Sequence, residues 1–281
     1  MEKDTEMRLR LYAAHMRKLI VEGVYQAQSG HPGGSLSCTD ILAYLYGERL
    51  HVNPAFPNDS DRDRFVLSKG HCAPALYAAL TLRGFFAACE MNDLRRCGAM
   101  LQGHPCMSEV PGVDMSTGSL GQGIAASVGM AMMGKLDKKS YRVFSILGDG
   151  ELQEGEVWEA LMAAAHYKLD NLTAFIDNNG LQIDGTNDEV MSLGSIPAKV
   201  SAFGWHVIEI DGHDLKQIEE AVHEAETIKG QPTMIVAHTH KGMGVSFMKD
   251  QVQWHGAAPK QDQYEAAMVE LNAAVTALEV K

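Results

Sequence analysis

Five short apolar runs rich in β-branched and aromatic residues recur along the chain: RFVLS at 64–68, RVFSILG at 142–148, LTAFID at 172–177, WHVIEI at 205–210 and TMIVAH at 233–238. Longer segments, with apolar residues at helical spacing, separate them. A continuous apolar run is what a strand covered on both faces needs, and an intervening helix is the connection that parallel neighbours require. The pattern predicts an α/β fold, a parallel sheet flanked by helices on both faces. Helices are expected at 8–27, 73–83, 121–134, 156–168, 215–228 and 262–278, with Asp214 as the N-cap of the fifth. No repeat, low-complexity stretch or Pro/Ser linker divides the sequence, so residues 1–281 read as a single domain.

The charge balance narrows the partners. Asp and Glu number 36 against 24 Lys and Arg, a net charge of −12, which repels phosphate backbones and anionic lipid. Neither nucleic acid nor a membrane is expected as a partner. The opening MEKDTEMRLRLYAAHMRKLI is a charged amphipathic helix pattern without a signal core, and no apolar run reaches spanning length, so a cytoplasmic protein is expected. Five cysteines, at 38, 72, 89, 97 and 106, form an odd and irregular set that reads as reduced thiols. Cys97, His104 and Cys106 are read as ordinary side chains rather than as a zinc site.

The chemistry concentrates at two strand ends. Asp149 follows the strand that stops at Leu147, inside LGDGELQEG, and the next strand runs into Asp177-Asn178-Asn179-Gly180. In a parallel sheet, ligands bind outside the carboxyl ends of the strands. A carboxylate and a carboxamide 30 residues apart, on adjacent strand ends, offer oxygen ligands to a hard cation such as Mg²⁺ or Ca²⁺ that keeps sites open for phosphate oxygens. Gly148 and Gly150 let the backbone approach a diphosphate closely. A GDG turn by itself also occurs as plain turn chemistry.

Other stretches extend the pattern. SGHPGG at 29–34, LSKGHCAPALYA at 67–78, QGHP at 102–105, VPGVDMSTGSLGQG at 110–123, LGDGELQEG at 147–155, DNNGLQIDG at 177–185, DGHD at 211–214 and WHGAAP at 254–259 occur in the order of transketolase signatures. Over nearly its whole length the chain resembles the amino-terminal, diphosphate-binding domain of transketolase. The resemblance implies thiamine diphosphate and Mg²⁺, with Ca²⁺ or Mn²⁺ as substitutes. It implies Asp149, Asn179 and the Leu181 carbonyl as metal ligands, and Gly148 and the Gly150 N–H at the diphosphate. His71 and His255 would hydrogen-bond the diphosphate or line the reaction centre. Gly118 and Leu120 would wall the aminopyrimidine, and Ile183 would touch the cofactor rings. His31 and His104 would face the substrate and move protons, while Glu154, and with it Glu159, would reach toward an activating glutamate on a partner. The implied reaction passes a two-carbon ketol unit from a ketose phosphate to an aldose phosphate.

A histidine taken singly is more often structural than catalytic, and His15, His166, His206, His223, His238 and His240 belong to that class. His31, His71, His104 and His255 are set apart by glycine-flanked loop motifs. Gly121 and Gly123 lack the preceding strand and the spacing of a nicotinamide-binding turn, so that cofactor is rejected. The apolar stripe in QDQYEAAMVELNAAVTALEV predicts a docking helix. Asp211 and Asp214 are expected to end a strand and cap a helix. The pyrimidine-binding domain of the full-length family is absent from this sequence, which implies a split transketolase: a separate C-terminal subunit would complete the site in an α2β2 heterotetramer. VGMAMMG at 128–134 is a candidate contact segment. Two alternatives are a related enzyme of the same cofactor, either deoxyxylulose-phosphate synthase-like or a transketolase for a specialised sugar phosphate, and a non-catalytic cofactor-binding subunit.

Overall fold

A computed structural model describes residues 1–280. Five strands, β1 (Arg64–Leu67), β2 (Val143–Gly148), β3 (Leu172–Asn178), β4 (His206–Asp211) and β5 (Thr233–His238), form one sheet in the order β1-β2-β3-β5-β4. Every pairing is parallel. Each strand coincides with an expected run to within a residue. Period-two alternation sends successive side chains to opposite faces. Thus Phe144, Ile146, Phe175 and Ile235 enter one core, while Val143, Leu147, Leu172, Ala174, Ile176, Met234 and Val236 enter the other.

The first core is covered by α1 (Lys3–Ala27), α2 (Pro32–Ser37), α3 (Thr39–Tyr44), α4 (Ala73–Arg83), α9 (Leu215–Thr227) and α10 (Gln261–Glu279). The second is covered by α5 (Gln122–Leu136), α6 (Gly155–His166) and α8 (Ile196–Ala202), with the short α7 (Asn187–Met191) at the strand ends. This is the three-layer arrangement expected of the pattern. Asp214 caps α9, accepting from the backbone N–H of Lys216 and Gln217. The carboxy-terminal stripe docks as expected: Ala267, Leu271 and Val275 are buried, and Tyr264 stacks on Tyr25 of α1 at 4.0 Å. Among the described residues no helix is long and apolar enough to cross a membrane.

The departures from expectation are local. Helix α1 begins five residues early, because the charged first turn costs nothing when exposed to water. Helices α7 and α8 are too short to show a period in the sequence. The segment after His31, expected as a glycine-flanked loop, is helical from Pro32 onward, with His31 itself at the N-cap. Close packing rather than propensity makes it so: a Cβ on Gly33 would lie 2.8 Å from the Trp254 carbonyl oxygen, and one on Gly34 would lie 2.8 Å from the Cys72 sulfur. His71 likewise sits in a 3₁₀ turn, Gly70–Cys72, and not in an open loop.

Candidate active site

The parallel register sets Gly148 beside Asp177, so the two polar strand ends emerge side by side. Asp149 is 3 % exposed. Its carboxylate accepts from the backbone N–H of Gly150 at 2.8 Å and from that of Gly180. Burial and the neighbouring Asp177 charge hold its pKa above the ordinary carboxylate range. Asn179 donates through Nδ2 to Asp177 at 3.2 Å, which fixes the amide so that Oδ1 accepts from the Leu181 N–H at 3.2 Å. One carboxylate, one carboxamide oxygen and the Leu181 carbonyl therefore gather at adjoining strand ends, an all-oxygen donor set suited to a hard cation. A desolvated carboxylate of this kind, held by backbone N–H groups, fits a divalent metal. Among the described residues there is no cluster of three or more His, Cys, Asp or Glu that could hold a metal, and Cys97, His104 and Cys106 do not form one.

Asp177 is the strut beneath. It is fully buried and accepts from Ser37 and Thr239 hydroxyls, from Asn179 and from the Lys69 ammonium. Lys69 also donates to the Gly34 carbonyl at 2.9 Å. Burial alone would pull Lys69 down, but the Asp177 charge more than reverses this and keeps the ammonium charged. Lys241, carried in just past β5, donates to the Leu181 carbonyl at 2.8 Å and meets His255 Nδ1 at 3.2 Å. Its pKa is lowered from the ordinary lysine value by burial and by Lys69. The carboxylates of the GDGELQEGE stretch divide by burial. Glu151 is buried and accepts from Ser68, Gly121 N–H and Gly148 N–H, and burial raises its pKa. Glu154 and Glu159 line up differently, both reaching solvent, and Glu156 is half-buried and accepts from Gln122.

Above the strand ends four imidazoles converge from four separate segments. Ring centroids of His31 lie 5.2 Å from His71, 5.5 Å from His255 and 6.4 Å from His104, and His71 stacks on His255 at 5.2 Å. Burial, then the neighbouring His71, lowers His31 to about 4. Burial, then Lys241, lowers His255 to about 3. His104 is lowered by burial and by Arg95.

A cavity of about 350 Å³ opens between the two layers of this site. It is lined by His31, His71, Gly118, Leu120, Gly148, Asp149, Gly150, Glu154, Asn179, Leu181, Ile183 and His255. His104 is outside the lining. Its ring instead packs on Gly118, where a Cβ would fall 3.0 Å from Cδ2 and where φ is +152°. Ile183 is 66 % exposed at the cavity edge, an unusual placement for isoleucine. The lining also contains Gly34, Lys69, Glu151, Gln153, Gln182 and Lys241, which the sequence reading does not single out. Lys69 lies inside the LSKGHC motif, and Lys241 lies just beyond the end of a strand adjacent to β3, where the strand-end rule could flag it. The other histidines lie elsewhere: His206, His238 and His240 pair with Glu224, Glu209 and Asp250 outside the cavity.

The chain is similar to proteins of one known family. The family described as transketolase, thiamine diphosphate binding domain, matches residues 9–275. The chain is 44 % identical over 271 residues to one of the subunits of apulose-4-phosphate transketolase from Phocaeicola vulgatus, covering 96 % of both proteins. It is 43 % identical over 268 residues to 6-deoxy-6-sulfo-D-fructose transketolase subunit SqwG of a Clostridium species, covering 95 % of this chain and 98 % of that one. The crystal structure of transketolase from Campylobacter jejuni superposes with a TM-score of 0.89 at 30 % identity, over 99 % of this chain and 46 % of the longer one. The chain belongs to the transketolase family, whose thiamine diphosphate-binding domain accounts for residues 9–275.

Proposed function

We propose that this chain, joined to a separate subunit carrying the pyrimidine-binding domain, transfers a two-carbon ketol unit from a ketose phosphate to an aldose phosphate with thiamine diphosphate and Mg²⁺. The observation that carries the reading is the assembly, at the carboxyl end of one parallel sheet, of an oxygen donor set under a ring of four imidazoles. Asp149, Asn179 and the Leu181 carbonyl would hold the metal, and the Gly150 N–H, His71, His255 and Lys241 would hold the diphosphate. Gly118, Leu120 and Ile183 would touch the cofactor rings. Thiamine diphosphate, when bound, supplies a carbon nucleophile and an electron sink for breaking the bond beside a ketose carbonyl.

The residues of the chain do the positioning and the proton work. Burial keeps His31 and His255 neutral at physiological pH, so they can exchange hydrogen bonds with hydroxyl and carbonyl oxygens without bringing extra cations into the cavity, and it lowers His104, packed beside the cavity on Gly118, in the same direction. Glu154, at the cavity rim, and Glu159, on α6, would meet the partner's activating carboxylate. Exposed Met133 and Met162 on α5 and α6 are apolar surface that a partner would cover, consistent with an α2β2 assembly. Residues 1–281 are taken as one domain, and the setting as cytoplasmic. A specialised sugar in place of a pentose phosphate is favoured as the substrate by the two relatives of matching length, whose names specify apulose 4-phosphate and 6-deoxy-6-sulfo-D-fructose.

The test is an affinity pull-down of the chain from its native extract with Mg²⁺ and thiamine diphosphate, followed by assay of the purified assembly against a panel of ketose phosphates. Equal recovery of a second polypeptide resembling the remainder of transketolase, with ketol transfer to an aldose, is expected. An assembly that binds the cofactor but turns over no ketose would leave the non-catalytic alternative standing and refute this one.

A further inference from the structure

Arg95 stands outside every motif described above, yet it is held at the site by unusual means. Its backbone adopts φ +63°, a left-handed conformation that non-glycine residues rarely take. Its guanidinium packs on Gly103, where a Cβ would fall 2.9 Å from Cζ. Nη1 donates to Ser29 Oγ at 3.1 Å, Nη2 approaches the Gly103 carbonyl at 3.4 Å, and Nη2 also meets His31 Nδ1 at 3.3 Å. The buried Nε has no partner among the described residues. A group so constrained, at the cost of one unsatisfied donor, is aimed at something.

A guanidinium has only donors. The ring nitrogen it meets must therefore carry the lone pair, and the single proton of the neutral imidazole must sit on the other nitrogen. We propose that Arg95 is a positioning residue that holds His31 as the Nε2–H tautomer, so that His31 presents a hydrogen-bond donor, and not a base, to the cavity. The Cδ2–Nε2 edge lies beside Gly256, whose Cβ, if present, would be 3.7 Å from both atoms, and the ring itself lines the cavity. The other groups facing the ring are His71, His104, His255 and Cys72, and burial with the neighbouring His71 keeps it neutral. His31 then recognises an acceptor, a carbonyl or hydroxyl oxygen of the substrate. Proton removal then falls to a group other than His31. The inference rests on the proposed ketol-transfer reading for its catalytic meaning, while the tautomer itself does not.

The experiment is two-dimensional NMR of the whole chain labelled with ¹⁵N-histidine, with the His31 signals identified by their loss in His31→Gln. At pH 7 the expected spectrum shows an unprotonated Nδ1 and a protonated Nε2 as a single tautomer. Arg95→Met is expected to give a mixture of tautomers, and Arg95→Lys, which keeps a donor, to restore the single form. In the reconstituted enzyme, Arg95→Met should lower kcat about tenfold with thiamine diphosphate affinity unchanged, and Arg95→Lys should recover most of it. A wild-type His31 protonated on Nδ1, or a folded Arg95→Met chain with an unmoved tautomer, overturns the proposal. So does a shifted tautomer with undiminished turnover. Failure of the ketol-transfer reading would appear separately, as absence of turnover in the wild-type assembly.

Discussion

The buried pair of Lys69 and Asp177 allows a quantitative test of what supports the strand-end site. Asp177 is fully buried, Lys69 is 1 % exposed, and among the described residues the ammonium has only Gly34 and Asp177 as acceptors. Asp177→Ala leaves a buried cation facing one carbonyl and strands the Thr239 hydroxyl, while the Ser37 hydroxyl keeps the Gly34 carbonyl at 2.9 Å. Removing one member of such a pair costs about 3–5 kcal/mol. At roughly 2 °C per kcal/mol for a chain of this size, the melting temperature should fall by about 6–10 °C. Lys69→Met keeps the apolar stem and leaves Asp177 with three donors, so its cost should be smaller, about 2–3 kcal/mol. The double variant removes both charges. Its cost should fall short of the sum by at least about 2 kcal/mol. Denaturant melts of the four proteins without cofactor give these numbers, and thiamine diphosphate titrations in parallel read the function. Because Asp177 also fixes the Asn179 amide, Asp177→Ala should weaken cofactor binding more than Lys69→Met does. Costs below about 1 kcal/mol, or strict additivity, would refute the view that this pair underpins the site.

Other perturbations separate binding from turnover and from folding. Asp149→Ala should abolish thiamine diphosphate binding in the presence of Mg²⁺ by calorimetry, because it deletes the charged oxygen of the donor set; unchanged affinity would remove Asp149 from the metal role. His104→Ala in the assembled enzyme should lower kcat by about 10²-fold or more with cofactor affinity retained, and full activity would withdraw its part in proton transfer. Gly123→Ala should destabilise by about 1–3 kcal/mol in thermal melts, since a Cβ there would lie 2.5 Å from Ser68 Cα. Asp40 is buried, which alone would raise its pKa, but Arg17 and His213 bring it below the ordinary 3.8. A depressed carboxylate adds stability above its unfolded value and loses it as pH falls through the folded one. Asp40→Asn should therefore destabilise the chain near pH 7, with the difference from wild type shrinking as pH falls below 3.8 and through the lowered folded-state value; a gap that persists undiminished in acid would contradict the ion-pair account.

Much of this protein is determined by local sequence. Continuous apolar runs of strand length, separated by helical periods, have one stable solution, a parallel sheet with both faces covered, and all five strands form where those runs lie. The polar cluster at the end of each central run has to emerge at the carboxyl edge, so Asp149 and Asn179 are legible as neighbours before any coordinates. The glycine-flanked histidines are legible by motif. What the sequence cannot contain is the meeting of distant segments. His31, His71, His104 and His255 span most of the chain, and only packing of α2, the Gly70–Cys72 turn and the segments around Gly103 and Gly256 brings their rings within 5.2–6.4 Å. Lys69 and Lys241 carry no periodic signal, because a buried cation is specified by the acceptors that surround it, and Asp177, Gly34 and Leu181 become its neighbours only in the fold. Arg95 is illegible for the same reason. Its left-handed backbone, its bed on Gly103 and its reach to His31 are set by tertiary contacts, and those contacts decide which nitrogen of His31 carries the proton.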